Sequence, residues 1–112
     1  MNVYDLANNL ASEMKKSQEF IKVQEAKKAL DTNKDAAEMV KDFNSQRRAI
    51  EMAQLAGKEA KKEDIEKVQN LYNLLALNNV AAEYVQAEMR FQMMLNDVSK
   101  VIGDVVKEAL GE

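Results

Sequence analysis

Four acidic or amide side chains in the stretch DTNKDAAEMVKD, residues 31–42, have the spacing of ligands in a calcium-binding EF-hand loop. They are Asp31, Asn33, Asp35 and Asp42, at loop positions 1, 3, 5 and 12. The sixth position of such a loop is Gly, because its backbone takes a positive φ, but this chain has Ala36 there. Ala36, Val40 and Phe43 also continue a helical apolar period through the stretch. We therefore predict a helix with Asn33 as its N-cap, and we expect no calcium site.

The residue types that the chain lacks exclude most catalytic and metal-binding chemistry. It has no Cys and no His, and therefore no thiolate nucleophile, no imidazole base and no thiolate or imidazole ligand for zinc. Two carboxylate pairs occur, Glu38 with Asp42 and Glu83 with Glu88. A di-metal helical bundle would need inward-facing Glu-x-x-His motifs, which a chain without His does not contain. We therefore expect a protein that is not an enzyme and that holds no cofactor and no metal.

The charged residues nearly balance, with 16 Lys and Arg against 19 Asp and Glu and a net charge of −3. Four basic doublets are scattered among the acidic residues, namely Lys15-Lys16, Lys27-Lys28, Arg47-Arg48 and Lys61-Lys62. Nucleic-acid-binding proteins usually cluster their basic residues, so solvated helix faces explain these doublets better than a phosphate-binding patch does. We do not expect nucleic acid as a partner.

The N-terminal residues and the apolar runs favour a cytoplasmic location. The opening MNVYDLANNL lacks the basic region and following apolar run of a signal peptide. No apolar stretch approaches the roughly 20 residues that span a bilayer, so we expect no membrane association. The absence of Cys fits a reducing compartment.

With no Pro and three Gly, almost nothing in the chain interrupts helices, and most of its common residues are strong helix formers. We predict an all-α fold, an antiparallel helical bundle with a long C-terminal helix, in a single domain of residues 1–112. The predicted helices cover 3–16, 18–31, 34–56, 65–75 and 80–110. An exposed link is expected at 57–64, where Gly57 is the C′ residue of the third helix. A break between the last two helices is expected at Asn78-Asn79. Leu6, Leu10 and Met14 form the apolar stripe of the first helix. Ser17 is a good N-cap for the second, and the sequence leaves open whether it breaks the rod or bends it.

The longest apolar period lies in FQMMLNDVSKVIGDVVKEAL, residues 91–110. Its apolar residues repeat at spacings of four and three, the a/d rhythm of a helix-packing seam, and they are Phe91, Leu95, Val98, Ile102, Val105 and Ala109. Met94, Val101 and Leu110 make this face wider than one partner helix requires. One interpretation makes the whole stripe intramolecular core, and the other shares part of it with a second subunit. We predict a two-fold homodimer with an interface that includes Phe91, Leu95, Val98, Ile102 and Val105.

Four short motifs follow one another along the chain. They are Y-D-x-A at 4–7, S-x-E-F at 17–20, A-G-x-E at 56–59 and Y-x-x-A-E at 84–88. This order resembles the YlbF/YmcA family of small helical bacterial proteins, most closely its YheA-like branch (UPF0342), over nearly the whole length. The resemblance implies an all-helical, cytoplasmic, non-enzymatic protein that self-associates. Better-known relatives act in a regulatory complex linked to an RNA-processing nuclease and are associated with an iron–sulfur cluster bound through cysteines. Since this chain has no Cys, that cluster is not carried over.

The sequence therefore favours a helical adaptor or regulatory protein that acts through self-association and protein–protein contacts. The alternative is an RNA-associated accessory protein of an RNA-processing complex. Such a protein would contact RNA through its Lys and Arg doublets, and its affinity would fall as salt rises.

Overall fold

The computed structural model describes residues 1–111 and has, over that range, five α-helices and no strand. The helices are α1 (Val3–Lys16), α2 (Gln18–Asp31), α3 (Lys34–Leu55), α4 (Lys62–Leu75) and α5 (Asn79–Leu110). The predicted all-α fold with a long C-terminal helix is confirmed. One predicted boundary is wrong by more than a residue, because α4 begins at Lys62, inside the expected link of 57–64. Glu63 and Asp64 lie in its first turn, where the helix dipole favours acids, so this hydrophilic stretch already belongs to the helix.

Ser17 separates α1 from α2 and caps both helices. Its backbone is extended, with φ −67° and ψ 152°. The Ser17 hydroxyl donates to the Met14 carbonyl at 2.6 Å and accepts from the Phe20 N–H at 3.2 Å. The sequence left a break or a bend open, and the structure has a break, since one side chain satisfies the last turn of α1 and the first turn of α2.

The residues that resemble a calcium loop form a helix start. The Asn33 side chain accepts a hydrogen bond from the Ala36 N–H at 3.0 Å, and α3 runs on from Lys34. Asp35 lies in the first turn, at the positive end of the helix dipole. Asp31 pairs with Lys27 one turn earlier in α2. The prediction of Asn33 as an N-cap is confirmed.

The end of α3 has the hydrogen bonds of a Schellman motif. Gly57 follows the C-cap Ala56 and takes φ +80°, the left-handed conformation that favours glycine. The Gly57 N–H donates to the Gln54 carbonyl at 3.0 Å, and the Lys58 N–H donates to the Ala53 carbonyl at 2.9 Å. This confirms Gly57 as the C′ residue.

The chain divides into two compact units. The first comprises residues 1–25 with those from 86 onward, and the second is Ala26–Val85. In the second, α3 and α4 pack as an antiparallel pair across the short link, and the Phe43 and Tyr72 rings lie 5.8 Å apart. The buried core of this unit is Leu30, Ala36, Val40, Phe43, Leu75, Ala81 and Val85. In the first unit, the Phe20 and Phe91 rings lie 6.3 Å apart.

Candidate interaction surface

The predicted interface residues of α5 lie outside the buried core. Phe91 and Val98 are half-buried, whereas Leu95, Ile102 and Val105 are 36%, 56% and 62% exposed. Over the described residues, none of these five belongs to the buried set, and the core cluster is built from the other unit. The outer part of this stripe is therefore an apolar helix face in contact with solvent in the single chain.

Helix α1 presents a second apolar face, which sequence reasoning described as a stripe but did not include in the interface. None of its residues is buried. The exposed fraction falls along the helix, from 77% at Val3 through 53% at Leu6 to 38% at Leu10, and Met14 is half-buried. The signal that could have found this surface is the stripe itself in a helix of only 14 residues, since so short an amphipathic helix needs a packing partner.

Both faces are covered best near one aromatic contact. Phe20, at the start of α2, meets Phe91 of α5 with ring planes tilted by 53°. Exposure grows away from this pair in both directions, back along α1 to Val3 and forward along α5 to Leu110. The single chain therefore covers the inner ends of the two faces and leaves the outer ends open.

A cleft beside the aromatic pair mixes apolar and charged side chains. Its lining residues are Glu19, Arg90, Met93, Met94, Asp97 and Val98. Val98 of the predicted interface thus lies on this cleft. Both signs of charge are present among these side chains, so the cleft does not favour a small anionic ligand.

The basic doublets are spread over four helices of the chain. Several of their cations have a neighbour in the same helix. Lys16 lies 3.4 Å from Glu13, Lys27 pairs with Asp31, and the Arg47 guanidinium stacks over the Phe43 ring at 5.7 Å. This arrangement is typical of solvated or locally paired helix faces.

The carboxylates show no arrangement of metal ligands. In the part of the chain that the structure describes, no group of three or more Asp, Glu, His or Cys is placed to hold a metal ion. Nor does any helix of residues 1–111 combine the length and the apolar character needed to cross a membrane.

Comparison with known proteins gives the same family as the motifs. Residues 3–107 match the family described as "Control of competence regulator ComK, YlbF/YmcA". The UPF0342 protein of Caldicellulosiruptor bescii is 34% identical over 106 residues, which are 95% of this chain and 89% of the relative. That of Caldicellulosiruptor saccharolyticus is 35% identical over 105 residues, covering 94% and 88%. That of Desulfitobacterium hafniense is 34% identical over 110 residues, covering 98% and 89%. Because these matches cover nearly the whole chain, the chain belongs to the YlbF/YmcA family and is one of its UPF0342 proteins.

Proposed function

We propose that this chain is a non-enzymatic regulatory protein of the cytoplasm that acts through self-association and helix-mediated protein–protein contacts. The observation that carries the proposal is the exposed apolar seam of α5, from Leu95 to Val105, in a chain that has neither Cys nor His. Exposed apolar faces of this length are typical of surfaces that another helix covers. The family's link to control of the competence regulator ComK supports a regulatory role.

Burial of the seam would contribute a free energy comparable with the cost of forming a dimer. Leu95, Ile102 and Val105 are between a third and two-thirds exposed, so their burial is worth about 0.5–2 kcal/mol each, less than the roughly 1.5–3 kcal/mol of a complete burial. A two-fold contact counts each of them twice, which makes about 5–9 kcal/mol. This is comparable with the association cost of about 4–15 kcal/mol, so the seam is the centre of the proposed interface but needs neighbours.

Sedimentation equilibrium tests the self-association directly. The unmodified chain is expected to sediment as a dimer at micromolar concentration. The double variant Val98→Asp/Ile102→Asp is expected to sediment as a monomer, because two carboxylates would be buried without partners. A matched control is Asn96→Asp/Ser99→Asp, which adds the same charge to exposed polar positions of α5 and should remain dimeric. An unmodified chain that stays monomeric would contradict the proposal.

The regulatory role needs a test in cells. In a host that lacks its own copy, activity of the competence regulator would be measured with a reporter after supplying the unmodified chain, the Val98→Asp/Ile102→Asp variant or the polar-face control. We expect the unmodified chain and the control to restore regulation and the monomeric variant to fail. Equal restoration by all three would mean that regulation does not require self-association. Salt-dependent RNA binding by the purified chain would instead favour the accessory role in RNA processing.

A further inference from the structure

We infer that α1 is an exchanged arm, and that its apolar face packs against the outer half of α5 of a second copy of this chain. The inference rests on the proposed self-association and deepens it by naming the segment that covers the seam. It starts from two open faces of one unit, Leu6 and Leu10 on α1 and Ile102 and Val105 on α5.

The two faces match in length. Helix α1 has 14 residues, and Val105 of α5 lies 14 residues after Phe91. At 1.5 Å per residue, both helical stretches are about 21 Å long. Both arms lose coverage toward their outer ends, so each exposes an apolar face that its own chain leaves uncovered. A second copy offers the same two faces and can cover both at once in an isologous contact.

The energy of the contact agrees with that occupant. The α5 seam alone only offsets the cost of association, so an interface that also includes α1 is needed for a stable pair.

The charges of the two arms fit a second copy better than a membrane surface. Asp5 and Glu13 on α1 are balanced by Lys15 and Lys16 near its end. On α5 the signs alternate through Asp97, Lys100, Asp104, Lys107 and Glu108. Neither arm therefore brings a block of one sign against the other, and complementary pairs can form along the contact. The polar face of α1 carries Asn8, Asn9 and Ser12, and it lacks the Lys and Arg enrichment of helices that lie on anionic lipid.

The absence of Cys makes the arrangement testable by cross-linking at chosen positions. A Leu6→Cys chain with a size tag and an untagged Ile102→Cys chain are unfolded together, refolded and treated with a short bismaleimide. These two positions lie midway along the uncovered part of each arm. We expect a cross-linked product of mixed size. The matched control pair, Ser12→Cys with Lys100→Cys, lies on the polar sides of the same helices and should give no such product.

A second sample separates exchange from packing within one chain. The double variant Leu6→Cys/Ile102→Cys is refolded with an excess of the unmodified chain, so that nearly every variant chain has an unmodified partner. Exchange predicts loss of the cross-link between its two cysteines under this dilution. A cross-link that persists would place α1 on its own α5 and overturn the inference.

The remaining outcomes distinguish failure of the exchanged arm from failure of the proposed self-association. A dimer by sedimentation without the mixed Leu6→Cys/Ile102→Cys product would leave the proposed self-association standing and overturn the exchanged arm, with α1 covered by another protein or by lipid. A chain that sediments as a monomer would overturn both. Leu6→Asp/Leu10→Asp should convert the dimer to monomer, and Asn8→Asp/Ser12→Asp on the opposite side of α1 should not.

Discussion

Phe20 and Phe91 meet with their ring centroids 6.3 Å apart and their planes tilted by 53°, and this contact joins the start of α2 to the middle of α5. The two residues are 71 positions apart in the chain, and both are half-buried. Tilted pairs at this distance are the geometry that the aromatic quadrupole favours. The contact lies where the apolar faces of α1 and α5 are best covered.

A double-mutant cycle on this pair should give a coupling free energy of about 0.5–1.5 kcal/mol. Phe20→Ala and Phe91→Ala each remove a half-buried ring, so each should destabilise by roughly 1–3 kcal/mol, less than a full core truncation. Denaturant unfolding of the two single variants and the double variant measures the coupling. Strict additivity would mean that the rings do not stabilise each other.

Removal of the α3 cap should cost about 1 kcal/mol. Asn33→Ala deletes the oxygen that accepts from the Ala36 N–H and leaves that donor without its side-chain partner. Asn33→Ser keeps a capping oxygen and serves as the control, with a loss of only a few tenths of a kcal/mol expected. The comparison is made by denaturation midpoint, and equal midpoints for all three chains would be incompatible with capping by Asn33.

The same stretch should not bind calcium. Helix α3 runs from Lys34 onward through the remainder of the loop-like segment, so its later side chains follow the helix and do not fold around a central ion. Calorimetric titration with calcium chloride should give only the heat of dilution. A saturable signal at micromolar calcium, lost in Asp31→Asn/Asp35→Asn, would contradict this interpretation of the segment.

Two glycines should respond to Ala in opposite directions. Gly57 has φ +80°, and an added Cβ meets nothing within 4 Å, so Gly57→Ala should destabilise by about 1–2 kcal/mol through backbone strain alone. Gly103 lies within α5 with equally open surroundings, so Gly103→Ala should stabilise by roughly 0.5–1 kcal/mol. Thermal unfolding at one protein concentration measures both. A destabilising Gly103→Ala would indicate a close neighbour that the single chain does not contain.

The local features of this fold were predictable because each is encoded by a single residue that acts on the backbone next to it. Asn33, Ser17 and Gly57 all lie where a cap or a left-handed turn residue was expected. The start of α4 was wrong because hydrophilicity alone does not separate a link from the first turn of a helix. Neither the ring pair of Phe20 and Phe91 nor the openness of α1 was predicted.

Those misses have one physical cause. An a/d period indicates that a helix face is packed against other residues. The same period results whether those residues belong to the same chain or to another chain. The stripe of Leu6 and Leu10 therefore predicted a packed face but not the element that covers it. The stripe from Phe91 to Val105 was compatible both with an intramolecular core and with a subunit interface. Only the exposed fractions distinguish these cases, and they depend on contacts between residues far apart in sequence.

The stability of α1 should depend on association. Its 14 residues bury no side chain in the single chain, and an isolated helix of that length is marginal in water even with the Asn2 cap, which accepts from the Asp5 N–H at 2.9 Å. In the proposed dimer, packing of the Leu6 and Leu10 face would supply the missing stabilisation. Hydrogen exchange should therefore find α1 amides protected in the unmodified chain and rapidly exchanging in Val98→Asp/Ile102→Asp.

The second unit supplies the internal reference for that measurement. Amides around Val40, Phe43 and Leu75 lie in a buried core formed within one chain, so they should keep their protection in the monomeric variant. The control Asn96→Asp/Ser99→Asp should leave both regions unchanged. If α1 stays as protected in the monomer as in the unmodified chain, its stability comes from its own chain. The apolar face of α1 would then have no part in holding two copies together.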